Sequence, residues 1–183
     1  MAESQRKFSL SVIRSKRLKL IASTVDLINR DVDGGSRLAE ALAVHIPEEW
    51  PPDLYGPRAM QFALQQLGDP AEQGWSFWYL VTEEEPCVLI GICGFKGRPD
   101  EAGSVEIGYS MLASYQEQGF ATEAVARLVA WAFSHNNVHE VCAETLPHLN
   151  KSIRVLEKNG FTFTGAGSET GVIRYHLKRS SLD

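Results

Sequence analysis

Cysteine is scarce in this 183-residue chain: Cys87, Cys93 and Cys142 are odd in number and form no Cys-x-x-Cys pair. That argues against a disulfide framework or a thiolate zinc site and favours a reducing compartment. Cys93 and Cys142 fall in apolar, strand-like runs, where inert buried thiols belong. The histidines, His45, His135, His139, His148 and His176, have no metal-ligand spacing, so no metal is expected. Long hydrophobic runs are lacking too. No stretch reaches about 18 apolar residues and the N-terminus has no long apolar region, so the expectation is a cytoplasmic protein without signal peptide or membrane span. Excess positive charge is also missing: 18 Lys and Arg against 23 Asp and Glu give a net charge of −5, which argues against general nucleic-acid binding. The basic residues Arg6, Lys7, Arg14, Lys16, Arg17 and Lys19 cluster near one segment and read as a solvated strand face. There is no Gly-x-Ser-x-Gly elbow for acyl-enzyme chemistry.

What is present suits one domain spanning 1–183, since neither repeat, linker nor low-complexity segment divides it. Arg17 to Ile21 alternates as a first strand should. Ser23–Asn29 and Ser36–Val44 read as short helices with Ser23 and Ser36 as N-caps. Pro47 and Trp50-Pro51-Pro52 break that pattern, and Arg58–Leu67 reads as a further helix after Gly56-Pro57. Trp75–Thr82 and Val88–Lys96 form a predicted hairpin around an acidic turn, followed by a strand over Ser104–Leu112. A helix from Ala121 to about Ser134, a strand from Glu140, a short helix and one or two final strands complete the order. A strand–helix–strand unit requires a parallel neighbour, so the fold class is α/β: a mixed, mostly antiparallel sheet flanked by helices.

The most informative run is Tyr115-Gln-Glu-Gln-Gly-Phe-Ala-Thr-Glu-Ala124, a glycine-containing loop between a strand and a helix. The first helical N–H groups have no internal partner, and with the positive end of the helix dipole they make a natural phosphate site. The run lacks the lysine and hydroxyl ending of a P-loop and the three-glycine spacing of a dinucleotide fingerprint. What remains, Gln-x-x-Gly-x-Ala, resembles the pyrophosphate loop of the Gcn5-related N-acetyltransferases, the GNAT superfamily. A second block, Ser152-Ile-Arg-Val-Leu-Glu-Lys-Asn-Gly160-Phe161, resembles the second acyl-CoA-binding segment of that superfamily, most of all in its ribosomal-protein-alanine N-acetyltransferase branch. Two such segments in the right order are far more specific than either alone.

The resemblance implies a splayed-strand acyl-CoA cleft, acetyl-CoA as acyl donor and a primary amine of a small molecule or a protein N-terminus as acceptor. It implies that Met111, Leu112 and Ala113 line the pantetheine, that Gln116, Gln118, Gly119, Phe120, Ala121 and Thr122 form the diphosphate site, and that Asn150 and Ser152 touch the pantetheine and its sulfur. A base is needed because a protonated amine cannot attack. By analogy it is Glu106 or Glu144, each of which reads equally well as an ordinary exposed strand residue. Ser152 aligns with a serine that serves the departing thiolate. Dimerisation is common among such relatives, without any surface stripe here to identify an interface.

Departures from the pattern give a second reading. Position 117, often glycine, is Glu117; position 118, often basic, is Gln118; the usual asparagine three places before Ser152 is Leu149, with Asn150 next to it. Glu117 is expected to point to solvent, and N-capping competes with ligand contact as the explanation of Asn150. The superfamily's other common acid, a tyrosine, is replaced by Leu156; that absence and Glu117 motivate the alternative, a catalytically impaired acyl-CoA-binding regulatory module. For the acceptor, Trp50, Tyr55, Trp75 and Trp78 offer an aromatic wall or, equally, core.

Overall fold

A computed structural model describes residues 10–181; Arg6 and Lys7 of the basic cluster lie outside the described residues. A short hairpin, β1 (Val12–Arg14) and β2 (Leu18–Ala22), opens the fold. Three helices follow: α1 (Val25–Val32), α2 (Gly35–Leu42) and α3 (Pro57–Gln66). Then come β3 (Phe77–Thr82), β4 (Leu89–Phe95) and β5 (Ser104–Met111). Helix α4 (Phe120–Phe133) leads to β6 (Glu140–Thr145), and α5 (Asn150–Lys158) precedes the pair β7 (Thr162–Ala166) and β8 (Ile173–Lys178). The strands form one sheet in the order β1-β2-β3-β4-β5-β6-β8-β7. Neighbours are antiparallel except β5 and β6, which α4 joins as a crossover helix. This is the mixed sheet expected, with β1 as a strand that the alternation of 17–21 did not announce.

The side chains of β2 and β3 are buried on both faces, so two cores form. Leu18, Leu20, Trp78, Leu80, Val105 and Ile107 pack under Val125, Leu128, Val129 and Ala132 of α4 and Leu156 of α5. Ile21, Tyr79, Val81 and Leu89 pack on the other face under Leu27 and Ile28 of α1, Leu38 of α2, and Met60 and Ala63 of α3. Among the described residues this second core draws nothing from β5 to β8. One face of that half of the sheet is therefore left open, and it carries Glu106, Gly108 and Ser110.

Helix starts differ from expectation in detail. Thr24, not Ser23, caps α1, accepting the Leu27 N–H at 3.2 Å. Ser23 instead extends the sheet, its N–H donating to Phe77 O at 3.0 Å. Gly34 occupies the cap position of α2, one residue before Gly35, so Ser36 lies inside the helix. Pro57 begins α3, where its missing N–H costs nothing.

Candidate active site

The strand register creates the cleft. β5 and β6 pair only at Ser104–Glu140, Val105–Val141 and Glu106–Cys142, although β5 continues to Met111 and β6 to Thr145. Beyond Glu106 the two strands part. Leu112 N–H donates to Ile90 O at 2.9 Å and Lys96 N–H to Glu106 O at 3.0 Å, so even-numbered residues of β5 direct their main chain toward β4. The alternation of a ladder then turns the main-chain groups of Ile107, Tyr109 and Met111 to the opposite edge, which β6 has left.

The loop after β5 presents a row of free donors. Gly119 sits at the cap position of α4 with φ +83°, and no side chain among the described residues caps the helix. The first closed helical bond runs from Glu123 N–H to Gly119 O. Among the described residues the N–H groups of Gln118, Gly119, Phe120, Ala121 and Thr122 have no acceptor. The glutamine side chains are internal braces: Gln116 Nε2 donates to Met111 O at 3.2 Å and Gln118 Nε2 to Ser114 O at 2.7 Å. Glu117 takes φ +60°, the left-handed region that glycine enters without cost, and pairs with Lys151 on α5 at 2.9 Å. Both side chains of that pair are mostly exposed, and Lys151 holds the Glu117 carboxyl below its ordinary range.

A cation serves this loop from the far end of the chain. Arg17 Nη1 donates to Gln118 O at 3.0 Å, its Nε to Glu123 Oε2 at 2.7 Å, and its guanidinium lies 4.3 Å over the Phe120 ring. Glu123 also accepts from Ser15 Oγ and the Arg17 main-chain N–H. Burial opposes ionisation of Glu123, but these hydrogen bonds outweigh it and hold its carboxyl below the ordinary range.

The two candidate bases differ sharply. Glu144 accepts from Ser168 N–H and Oγ at 2.8 and 2.7 Å and from Arg174 Nε and Nη2 at 2.9 and 2.7 Å. Its burial favours the neutral acid, yet those donors prevail and the carboxyl is held low. A carboxylate so fully engaged is a poor proton acceptor. Among the described residues the Glu106 side chain pairs with Lys96 alone, beside Gly108, where a Cβ would meet nothing within 4 Å. Ser152 is the third residue of α5, and its Oγ lies 3.0 Å from the Tyr109 hydroxyl.

A family profile described as an acetyltransferase (GNAT) domain matches residues 38–162, the span that holds this cleft and loop. The chain belongs to the GNAT acetyltransferases. It is an acyltransferase of the N-acetylating class. The uncharacterized N-acetyltransferase YjdG of Bacillus subtilis is 25% identical over 158 residues, covering 86% of this chain and 94% of that protein. The fold is similar to that of a ribosomal-protein-S5-alanine acetyltransferase from Vibrio fischeri, with a TM-score of 0.66 and 18% identity over 94% of this chain and 99% of that one. The microcin C7 self-immunity acetyltransferase MccE, solved in complex with acetyl-CoA and AMP, gives 0.60 and 16% over 90% and 93%.

Several contacts expected of a GNAT chain change in this one. Leu112 has both main-chain groups engaged, its N–H with Ile90 and its carbonyl with Tyr115, and its side chain is buried. It is therefore core; the Met111 side chain is buried too and its carbonyl accepts from Gln116, which leaves its N–H and the exposed Ala113 as the pantetheine-facing candidates of that segment. Asn150 does not cap α5: the cap position is Leu149, without a capping side chain, and Asn150 is the exposed first helical residue. Tyr55, Trp75 and Trp78 are buried, which removes most of the aromatic wall; Trp50 is half-buried, its Nε1 donating to Asp31 at 2.9 Å. Asp31 is itself buried and also accepts from Tyr55 and Tyr79 at 3.0 and 3.2 Å. It thereby ties the 50–55 segment to α1, and that segment touches β5 through Ser110 Oγ donating to Asp53 O. Sequence reasoning missed Arg17 and Tyr109. Arg17 counts there as part of a solvated face, and Tyr109 carries no role there beyond its place in the 104–112 strand.

Proposed function

We propose that this GNAT protein moves an acetyl group from acetyl-CoA to a primary amine, of a small molecule or a protein N-terminus, by direct attack within a ternary complex. The observation that carries the reading is the row of free N–H groups from Gln118 to Thr122, lying where β5 and β6 part and flanked by Arg17. Such a row suits a diphosphate, and the free edge of β5 suits the amide groups of a pantetheine arm laid in place of the departed strand. The Met111 main-chain N–H, Ala113 and Asn150 border that arm. Acetyl-CoA supplies the activated acyl group.

The residues of the chain do the rest. Glu106, on the open face and held by one exposed lysine, accepts the proton of the attacking amine directly or through water. Main-chain N–H groups on the free edge of β5 meet the oxyanion as it forms. Ser152, at the first turn of α5, lies on the sulfur side. Glu144 instead holds the 167–168 turn and Arg174 against β6, shaping the wall rather than moving a proton.

Melting measured against rising acetyl-CoA, with adenosine as control, tests the donor. At about 100 times its dissociation constant a ligand stabilises by roughly 2.7 kcal/mol, or several degrees in a domain of this size. No saturable shift up to millimolar acetyl-CoA sinks the reading. A clear shift without CoA release for any small amine or peptide N-terminus favours the impaired regulatory module, to which the Glu117–Lys151 pair across the loop lends its motive.

A further inference from the structure

We propose that Tyr109 is a positioning residue that aims the Ser152 hydroxyl at the sulfur leaving the acyl donor, an inference that rests on the acetyl-transfer reading above. Tyr109 projects from β5 on the same face as Val105 and Ile107, toward α5. Its hydroxyl lies 3.0 Å from Ser152 Oγ and also 3.0 Å from the Ser152 carbonyl oxygen. The contact joins β5 to the first turn of α5 beyond the point where β5 and β6 separate, so it lies beside the cleft and not in the closed sheet. No other side chain among the described residues hydrogen-bonds Ser152.

One phenolic proton cannot serve both acceptors. When it goes to the carbonyl, the serine proton points back at the phenol oxygen and the cleft sees only lone pairs. When it goes to Oγ, the serine proton is released to point outward. The helix pattern already gives the Ser152 carbonyl a donor four residues on, so the second arrangement leaves no carbonyl orphaned. A sulfur gaining negative charge favours this second arrangement, because a hydrogen bond to a charged acceptor is the stronger one.

The step balances without any proton leaving tyrosine. The amine nitrogen forms the new bond to the acetyl carbon, its proton passes to Glu106, and the carbon–sulfur bond breaks with its electron pair on sulfur. The thiolate departs hydrogen-bonded to Ser152 Oγ and takes its proton from solvent after release. Direct donation from the phenol is disfavoured: burial pushes the Tyr109 hydroxyl up to about 12, against about 8.5 for an ordinary thiol. Tyr109 therefore acts through the orientation of Ser152.

The test is a cycle of Tyr109→Phe, Ser152→Ala and the double variant, with kcat and the KM for acetyl-CoA read separately. The expected result is a kcat about 10- to 100-fold lower for Tyr109→Phe, the effect of one hydrogen bond to a charged atom. KM should stay within about twofold, and the double variant should be no slower than Ser152→Ala. A second readout is the ultraviolet thiolate absorbance of bound CoA against pH, taken as the difference from free protein. The wild-type pair lowers the bound thiol's midpoint, and Tyr109→Phe raises it by about one pH unit. An unmoved midpoint, or losses in kcat that multiply in the double variant, overturns the proposal. Wild-type protein that binds no CoA overturns both this inference and the reading beneath it.

Discussion

Replacing Arg17 with methionine keeps most of the side chain's length and its contact with Phe120 but removes three interactions at once. These are the Nε bond to Glu123 at 2.7 Å, the Nη1 bond to Gln118 O at 3.0 Å, and the cation beside the unpaired N–H groups proposed to take the diphosphate. Glu123 keeps Ser15 Oγ at 2.8 Å and the main-chain N–H of residue 17 at 2.7 Å, so the first turn of α4 stays attached to the β1–β2 turn. The arginine is 42% exposed, so the loss in stability should be only about 1 kcal/mol. That is roughly 2–4 °C in melting temperature for a domain of this size. The effect on the donor is larger. A hydrogen bond to a charged group contributes about 1.5–3 kcal/mol, reduced by exposure to about 1–2 kcal/mol, which is roughly 5- to 30-fold in dissociation constant. The Glu123 carboxylate, stripped of its counter-charge, pushes the same way. Calorimetric titration with acetyl-CoA at low and at high salt measures this directly. The gap between wild type and variant should narrow at high salt, and Arg17→Lys should recover part of the loss. A variant that melts lower but binds acetyl-CoA within about twofold of wild type refutes the argument and leaves Arg17 a purely structural clamp.

Glu117→Gly should tighten acetyl-CoA binding several-fold, since it removes a carboxylate beside the diphosphate and places glycine at φ +60°; a weaker Kd in calorimetry would mean that the Lys151 pair helps to form the site. Glu106→Gln should cut kcat with little change in melting, whereas Glu144→Gln should chiefly lower the melting temperature; the reverse split, in parallel kinetics and melts, would exchange their roles. Acid should destabilise the fold through Glu123 and Glu144. Both are held below their ordinary value of 4.5, so below that pH the unfolded chain binds more protons, and their contribution, complete above 4.5, is lost as pH falls through the lowered values. Buried Asp31 is raised above its ordinary 3.8 and acts with the opposite sign, its share fading as pH rises. Glu144→Gln should therefore flatten the acid limb of a urea-stability profile, and an unchanged slope would exclude it as a source.

The proposed donor site rests on a pattern that is largely legible in the sequence because it is built from main chain. A glycine free to take φ +83° in a short loop after a strand, with a helix beginning just after it, is a local fact that dictates unpaired N–H groups. The parallel pair β5–β6 followed from the helix between them in the same way. Side-chain chemistry was legible only as sets of candidates, because the partners are remote. Arg17 lies 101 residues from the carbonyl it holds and 106 from Glu123. Tyr109 is 43 residues from Ser152, and Glu144 is 30 from Arg174. On an alternating strand Tyr109 counts as one more strand residue until α5 brings a hydroxyl to it. Glu144 counts as a free base until β8 pairs with β6 and supplies its guanidinium.

The same division has a functional consequence. On the proposed reading a donor held by main-chain groups tolerates Gln118, whose side chain only braces Ser114, and is weakened rather than excluded by Glu117, which pairs with Lys151. On the same reading the acceptor faces side chains instead: Glu106 on an open sheet face, and the 50–55 segment held by Asp31. Changes in that segment should alter which amine is used without touching donor affinity. Changes at Arg17 or Gly119 should weaken the donor equally for every amine. Kinetics with two unlike acceptors would separate the two classes, because only the acceptor-side substitutions would change the ratio of their kcat/KM values.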